Sequence, residues 1–97
     1  MQVSIRFFTV LREVTGKKED TVHFGENEKV TVDTVLSTLS DRYGKPFSEY
    51  VFDLKIGAVK GFLQFFVNGQ STSAQNWVDT ELHDGDVLAI VPPVGGG

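Results

Sequence analysis

The chain has 97 residues, 40% hydrophobic and 23% charged, which suits one globular domain around one core. Thirteen acidic and nine basic residues leave a net charge of −4, and no basic block exceeds Lys17-Lys18, which argues against nucleic-acid binding as a main role. The absence of cysteine excludes a disulfide scaffold, a cysteine nucleophile and a thiolate metal site.

Residues 2–10, QVSIRFFTV, alternate as a half-buried strand, with Val3, Ile5 and Phe7 inward and Ser4, Arg6 and Phe8 on the other face. Leu11 to Val14 reads as a short helical turn closed by Gly16, and GKKED as a charged loop. Thr21 to Phe24 is a second strand, hairpinned to the first. Thr31 then caps a helix over 32–43, with Asp33 in the first turn. Its apolar stripe is Val32, Val35, Leu36, Leu39 and Tyr43. Gly44 stops this helix and Pro46 is expected not to resume it. In residues 45–60, Phe47, Tyr50, Val51 and Leu54 suggest a short helix folding back on the core, with Gly57 and Gly61 at its exit. A strand is expected over Phe62 to Val67, with Leu63, Phe65 and Val67 inward, ended by an Asn68-Gly69 turn. Residues 70–82 read as irregular, with a short turn near Trp77. The segment His83-Asp84-Gly85-Asp86 reads as a type I or I′ turn. Val87 to Val91 is the last strand, with Leu88 and Ile90 inward, ended by Pro92.

This order predicts an α+β fold, a mixed sheet with one main helix packed across it and the first and last strands as central neighbours. Residues 1–91 form the expected domain and 92–97, Pro-Pro-Val-Gly-Gly-Gly, a C-terminal tail. The N-terminus lacks a signal-peptide pattern, and no apolar run reaches the roughly 18–20 residues that span a bilayer, so a soluble cytoplasmic protein is expected. The overall acidity suits a basic or mixed protein partner.

Side-chain catalysts are missing from the pattern. His23 and His83 lie far apart with no carboxylates at metal-ligand spacing, so no metal site is expected. There is no G-x-S-x-G, Walker loop or dinucleotide fingerprint. Asp84-Gly85-Asp86 lacks the remaining ligands of a calcium loop. The chemistry left is that of the terminal carboxylate. A partner enzyme can adenylate it with ATP, after which sulfide or persulfide sulfur, a cysteine or a lysine amine attacks the acyl carbon. Such a tail must thread an active site, which glycine allows because it has no Cβ to clash. Pro92 and Pro93 would hold it off the domain as a stiff spacer.

The segment HDGDVLAIVPPVGGG resembles the end of the MoaD and ThiS group of ubiquitin-like sulfur carriers: a D-G-D turn, an apolar strand, a P-P-V step and terminal glycines. IRFFTVLREVTG at residues 5–16 resembles the MoaD start, VTVDTVLSTLSDRYG the helix that follows, and FFVNGQ the strand and turn before the final third. The longer middle is more similar to archaeal MoaD-type proteins and small archaeal modifier proteins than to compact bacterial MoaD. The resemblance implies a β-grasp (ubiquitin-like) roll and a non-catalytic carrier that binds no cofactor. It further implies that a ubiquitin-activating-type adenylating enzyme, using ATP, activates Gly97 for conversion to a thiocarboxylate. In MoaD relatives the carrier is the small subunit of molybdopterin synthase, and its tail delivers sulfur to precursor Z inside the large subunit. In the modifier relatives the same glycine forms an isopeptide bond with lysines of target proteins. The family usually ends in two glycines; here Gly95 stands where Thr, Ser or Ala is more common.

A carrier without side-chain catalysts must be recognised by its surface. The outward strand parity leaves Phe8, Phe62, Phe66, Val87, Ala89 and Val91 on one sheet face beside the tail, an expected docking patch. The candidate site is therefore Gly97 as reacting carbonyl, Pro92, Pro93, Val94, Gly95 and Gly96 as the threading tail, and Phe8, Val91, Phe66 and Phe62 as partner contacts. A plain β-grasp interaction domain with a passive tail is the reading from a different class, separated by whether removal of the tail leaves function intact.

Overall fold

The computed structural model describes residues 1–53, 55–72 and 79–93. In chain order its elements are β1 (Gln2–Phe7), α1 (Val10–Thr15), β2 (Glu19–His23), β3 (Val30–Thr31), α2 (Val32–Tyr43) and α3 (Lys45–Val51). There follow β4 (Phe52–Asp53), β5 (Ala58–Val59), β6 (Gln64–Val67), β7 (Gln70–Ser71), β8 (Glu81–Leu82) and β9 (Val87–Val91). The main sheet is ordered β2-β1-β9-β6-β7. Its middle pair, β1 and β9, is parallel, and the other neighbours are antiparallel. This is the mixed sheet with central first and last strands that the alternation predicts.

Period-two patterning sets the inner face. Ile5 lies opposite Leu88 and Phe7 opposite Ile90, while Phe65 and Val67 meet Ile90 and Leu88 from the other side. Val3, Ile5, Phe7, Leu88 and Ile90 are fully buried. The stripe of α2, Val32, Val35, Leu36 and Leu39, is buried in the same core. Each such side chain contributes about 1.5–3 kcal/mol by leaving water. Phe47 of α3 extends this core, its ring edge-on to Phe7 at 6.5 Å, and Phe7 is edge-on to Tyr43 at 6.0 Å.

Capping fixes α2. The Thr31 hydroxyl accepts from the Thr34 amide, and the Thr34 hydroxyl accepts from the Thr31 amide, a reciprocal pair that satisfies two orphan donors. At the other end Gly44 adopts φ 77° and its amide donates to the Ser40 carbonyl. α2 is not resumed; a separate helix, α3, starts at once, the short helix that Phe47, Tyr50 and Val51 suggest. Pro46 stands in the first turn of α3, where the missing N–H has no intrahelical partner to lose.

Some boundaries differ from the sequence reading. β1 stops at Phe7 rather than residue 10, because Thr9 turns to φ 48° and the Leu11 amide closes onto the Phe8 carbonyl at 3.1 Å. β6 begins at Gln64, and Phe62 lies in the turn before it. β4 pairs antiparallel with β5, and β3 with β8; these strands of two residues carry no alternation to read. β7 follows the Asn68-Gly69 turn, where φ values of 52° and 82° give the type I′ geometry that suits a hairpin. In the 83–86 turn the Asp86 amide donates to the His83 carbonyl at 3.0 Å, and only Gly85 is left-handed, at φ 85°. That is the type II pattern, not type I or I′. Trp77 and Leu54 lie outside the described residues.

A candidate docking face beside the chain terminus

The outer face of the sheet is built by the same registers. Arg6 lies across from Glu19 on one side and Ala89 on the other; Ala89 faces Phe66, and Phe66 faces Ser71. Val91 pairs with Gln64 at the end of β9. Phe8 follows the Phe7–Ile90 pair by one residue, which sets it level with Val91. Phe66, Val87, Ala89 and Val91 are half-buried. The sheet thus brings Phe8, Val91 and Phe66 to one side.

Phe62 does not share that surface by strand parity. It packs on Tyr50 of α3, ring centroids 5.8 Å apart, beneath Lys60, and remains 46% exposed. Tyr50 and Lys60, from the segment expected to cover it, flank the ring.

The terminal step is split. Pro92 is buried, so the packed part of the chain reaches it, and Pro93 is the first exposed residue after β9. Pro92 therefore anchors the exit rather than acting with Pro93 as a free spacer. Val94, Gly95, Gly96 and Gly97 lie outside the described residues.

Sequence reasoning missed the cations at this end of the sheet. The Arg6 guanidinium stands 5.8 Å from the Phe8 ring centroid and that of Arg12 stands 5.4 Å from it. Arg6 shares the strand parity of Phe8, which was a usable signal; Arg12 arrives from α1 and was not legible. Arg12 Nε donates to the Phe7 carbonyl at 3.0 Å, which fixes the side chain alongside the ring. The Lys18 carbonyl accepts from the Phe7 amide at 2.8 Å, so the Lys17-Lys18 loop flanks the same end. At the far end of β1 the charge reverses. Asp84 accepts from the Gln2 amide at 2.8 Å, and Glu26, Glu28, Glu81 and Asp84 ring a depression at Met1.

Among the described residues no three His, Cys, Asp or Glu side chains are grouped to hold a metal ion. His83 lies 3.8 Å from both Glu81 and Asp86 and is mostly exposed, a solvated turn residue. Among the described residues no helix is long and apolar enough to cross a membrane.

A family model described as the ThiS family matches residues 5–97. Small archaeal modifier protein 3 of Haloferax volcanii is 32% identical over 97 residues, covering all of both chains. The crystal structure of SAMP1 from Haloferax volcanii superposes with a TM-score of 0.81 at 26% identity, again covering all of both chains. A putative molybdopterin converting factor, subunit 1, from Pyrococcus furiosus gives a TM-score of 0.69 at 29% identity, over 96% of this chain and 98% of that one. These likenesses bear out the β-grasp fold.

Proposed function

The chain belongs to the ThiS family of ubiquitin-like sulfur carriers, and from that premise we propose that its reacting atom is the carbonyl carbon of Gly97. The observation that carries this reading is the match of the family through residue 97, on a fold whose last strand delivers the chain past a buried Pro92. The Gly97 carboxylate attacks the α-phosphorus of ATP in an adenylating enzyme of the ubiquitin-activating type, and pyrophosphate leaves. Sulfide then attacks the acyl carbon, the C–O bond to AMP breaks, and a thiocarboxylate remains. This chain supplies the carrier, and the partner supplies ATP binding and catalysis.

For the acceptor, the likeness to the molybdopterin converting factor supports delivery of the sulfur as small subunit of a molybdopterin synthase. Phe8, Val91 and Phe66 would seat the activating enzyme and the large subunit in turn, since both must receive the same tail. A second reading is favoured by the full-length match to a small archaeal modifier protein: the activated glycine would be conjugated to lysines of target proteins. Both readings use one carboxylate and one activating step.

Intact mass of the protein purified from its native host separates them. A gain of about 16 Da, one oxygen exchanged for sulfur at the acyl carbon, supports the carrier reading. Higher-mass adducts linked through the terminal glycine, with an unmodified free pool, support the modifier reading. Neither product under several growth conditions overturns both.

A further inference from the structure

We propose that Arg6 and Arg12, both set against the Phe8 ring, form a cationic clamp that docks a carboxylate-bearing surface of the adenylating enzyme. The inference rests on the carrier reading and adds the chemistry of the surface that receives the tail.

The clamp is built rather than incidental. Phe8 lies at the end of β1 level with Val91, and both guanidinium groups lie within 6 Å of its ring, at 5.8 and 5.4 Å. An aromatic face holds a guanidinium by its quadrupole and leaves the N–H edges free. Arg12 uses Nε on the Phe7 carbonyl, and its two terminal nitrogens remain for a partner among the described residues. The Arg6 side chain makes no hydrogen bond or ion pair among the described residues, although Glu19 is its cross-strand neighbour. Planar N–H pairs of this kind match carboxylates, and the ring beside them offers an apolar anchor at the same spot.

Charge placement selects the partner. The net charge of −4 alone favours a basic partner. Yet Glu26, Glu28, Glu81 and Asp84 gather at the Met1 end of β1, while Arg6, Arg12 and Lys18 lie at the end where β9 exits, where Lys17 faces Asp20 at 3.9 Å. An acidic receiving surface repels the first end and attracts the second, so the molecule approaches with its terminus forward. Two clamp arginines bracketed by Glu13 and Glu19 do not make the basic track that a nucleic-acid backbone needs.

The test is ATP–pyrophosphate exchange with the purified adenylating enzyme of the same organism, varying the carrier. Arg6→Glu is the main variant, since the Arg6 side chain has no hydrogen bond to lose, and an unchanged thermal melt verifies its fold. The apparent KM for the carrier should rise roughly 10-fold with kcat within about 2-fold, as expected for a lost docking charge pair. Wild-type KM should climb between about 50 and 300 mM NaCl, and that dependence should flatten in the variant. Arg12→Gln should raise KM, Arg12→Lys should restore it only in part because lysine keeps the charge and loses the planar N–H pair, and Glu28→Gln at the opposite end should leave it unchanged. A KM unmoved by Arg6→Glu, while Phe8→Ala raises it, overturns the clamp and leaves the carrier reading standing. Salt-sensitive binding to tRNA that Arg6→Glu abolishes without changing KM also overturns it. No exchange with the wild type under any condition overturns the carrier reading, and the clamp with it.

Discussion

The Tyr43 hydroxyl donates to the Asp20 carboxylate and so ties the last turn of α2 to the edge strand β2. Arg42 joins it on the same carboxylate at 2.8 Å and also donates to the Thr21 carbonyl, while the Thr21 amide donates to the other Asp20 oxygen. Partial burial pushes the Asp20 carboxyl up, but the bonds from Tyr43, Arg42 and Thr21 together outweigh it and hold the group below its ordinary range. Burial, then the bond to Asp20, push Tyr43 up to about 12.

The pH signs follow from these shifts. Asp20, with its folded value depressed, contributes stability above its unfolded value near pH 4, and the contribution fades as pH falls through the folded value. Tyr43, with its folded value raised, contributes below its unfolded value near pH 10, and that contribution is lost as pH climbs to about 12. Tyr43→Phe should cost about 1–2 kcal/mol at pH 7, and less once the pH has fallen through the folded value of Asp20 and the acceptor is protonated. Urea titrations at pH 7 and through the acid range check this, and a loss that never shrinks with falling pH would remove Asp20 from the account.

Thr9 adopts φ 48° and ψ −120° at the turn that aims Phe8 outward and starts α1. A β-branched residue in that region carries backbone strain of roughly 1–3 kcal/mol. Thr9→Gly should relieve most of it and, after the greater chain entropy of glycine, stabilise the domain by about 0.5–1.5 kcal/mol. A fall in melting temperature would show that the Thr9 side chain holds the turn instead.

Phe8→Ala should weaken binding to the adenylating enzyme or the synthase large subunit by about 1–3 kcal/mol, the range for an aromatic anchor. Phe8 is half-buried and lies outside the core cluster, so the melt should shift little. Calorimetric titration beside a thermal melt separates the two effects: loss of stability with unchanged affinity would make Phe8 a packing residue.

Deletion of Gly96-Gly97 should abolish adenylation and leave the melt nearly unchanged, because the described core ends at Ile90 and Pro92. Continued adenylation of the shortened chain would refute Gly97 as the reacting residue.

Local chemistry made much of this protein readable from its sequence. Alternation in β1 and β9 and the stripe of α2 each have one physical solution once a core must form. The Thr31 cap and the Asn68-Gly69 turn have positions set by hydrogen bonding and φ. The terminal glycines are read the same way, because what they permit depends on the missing Cβ and not on their surroundings. Short strands such as β4 and β8 were invisible, since two residues carry no period and form only when a partner from elsewhere in the chain arrives. Pro92 shows the same limit: its rigidity is a property of the residue, but whether it is buried depends on what surrounds the end of β9. The tertiary structure alone brought Arg12 from α1 to the Phe8 ring and drew the acidic residues to the opposite end of β1. Net charge is a sum over the sequence; its polarity along a strand is set by which distant segments fold beside each end.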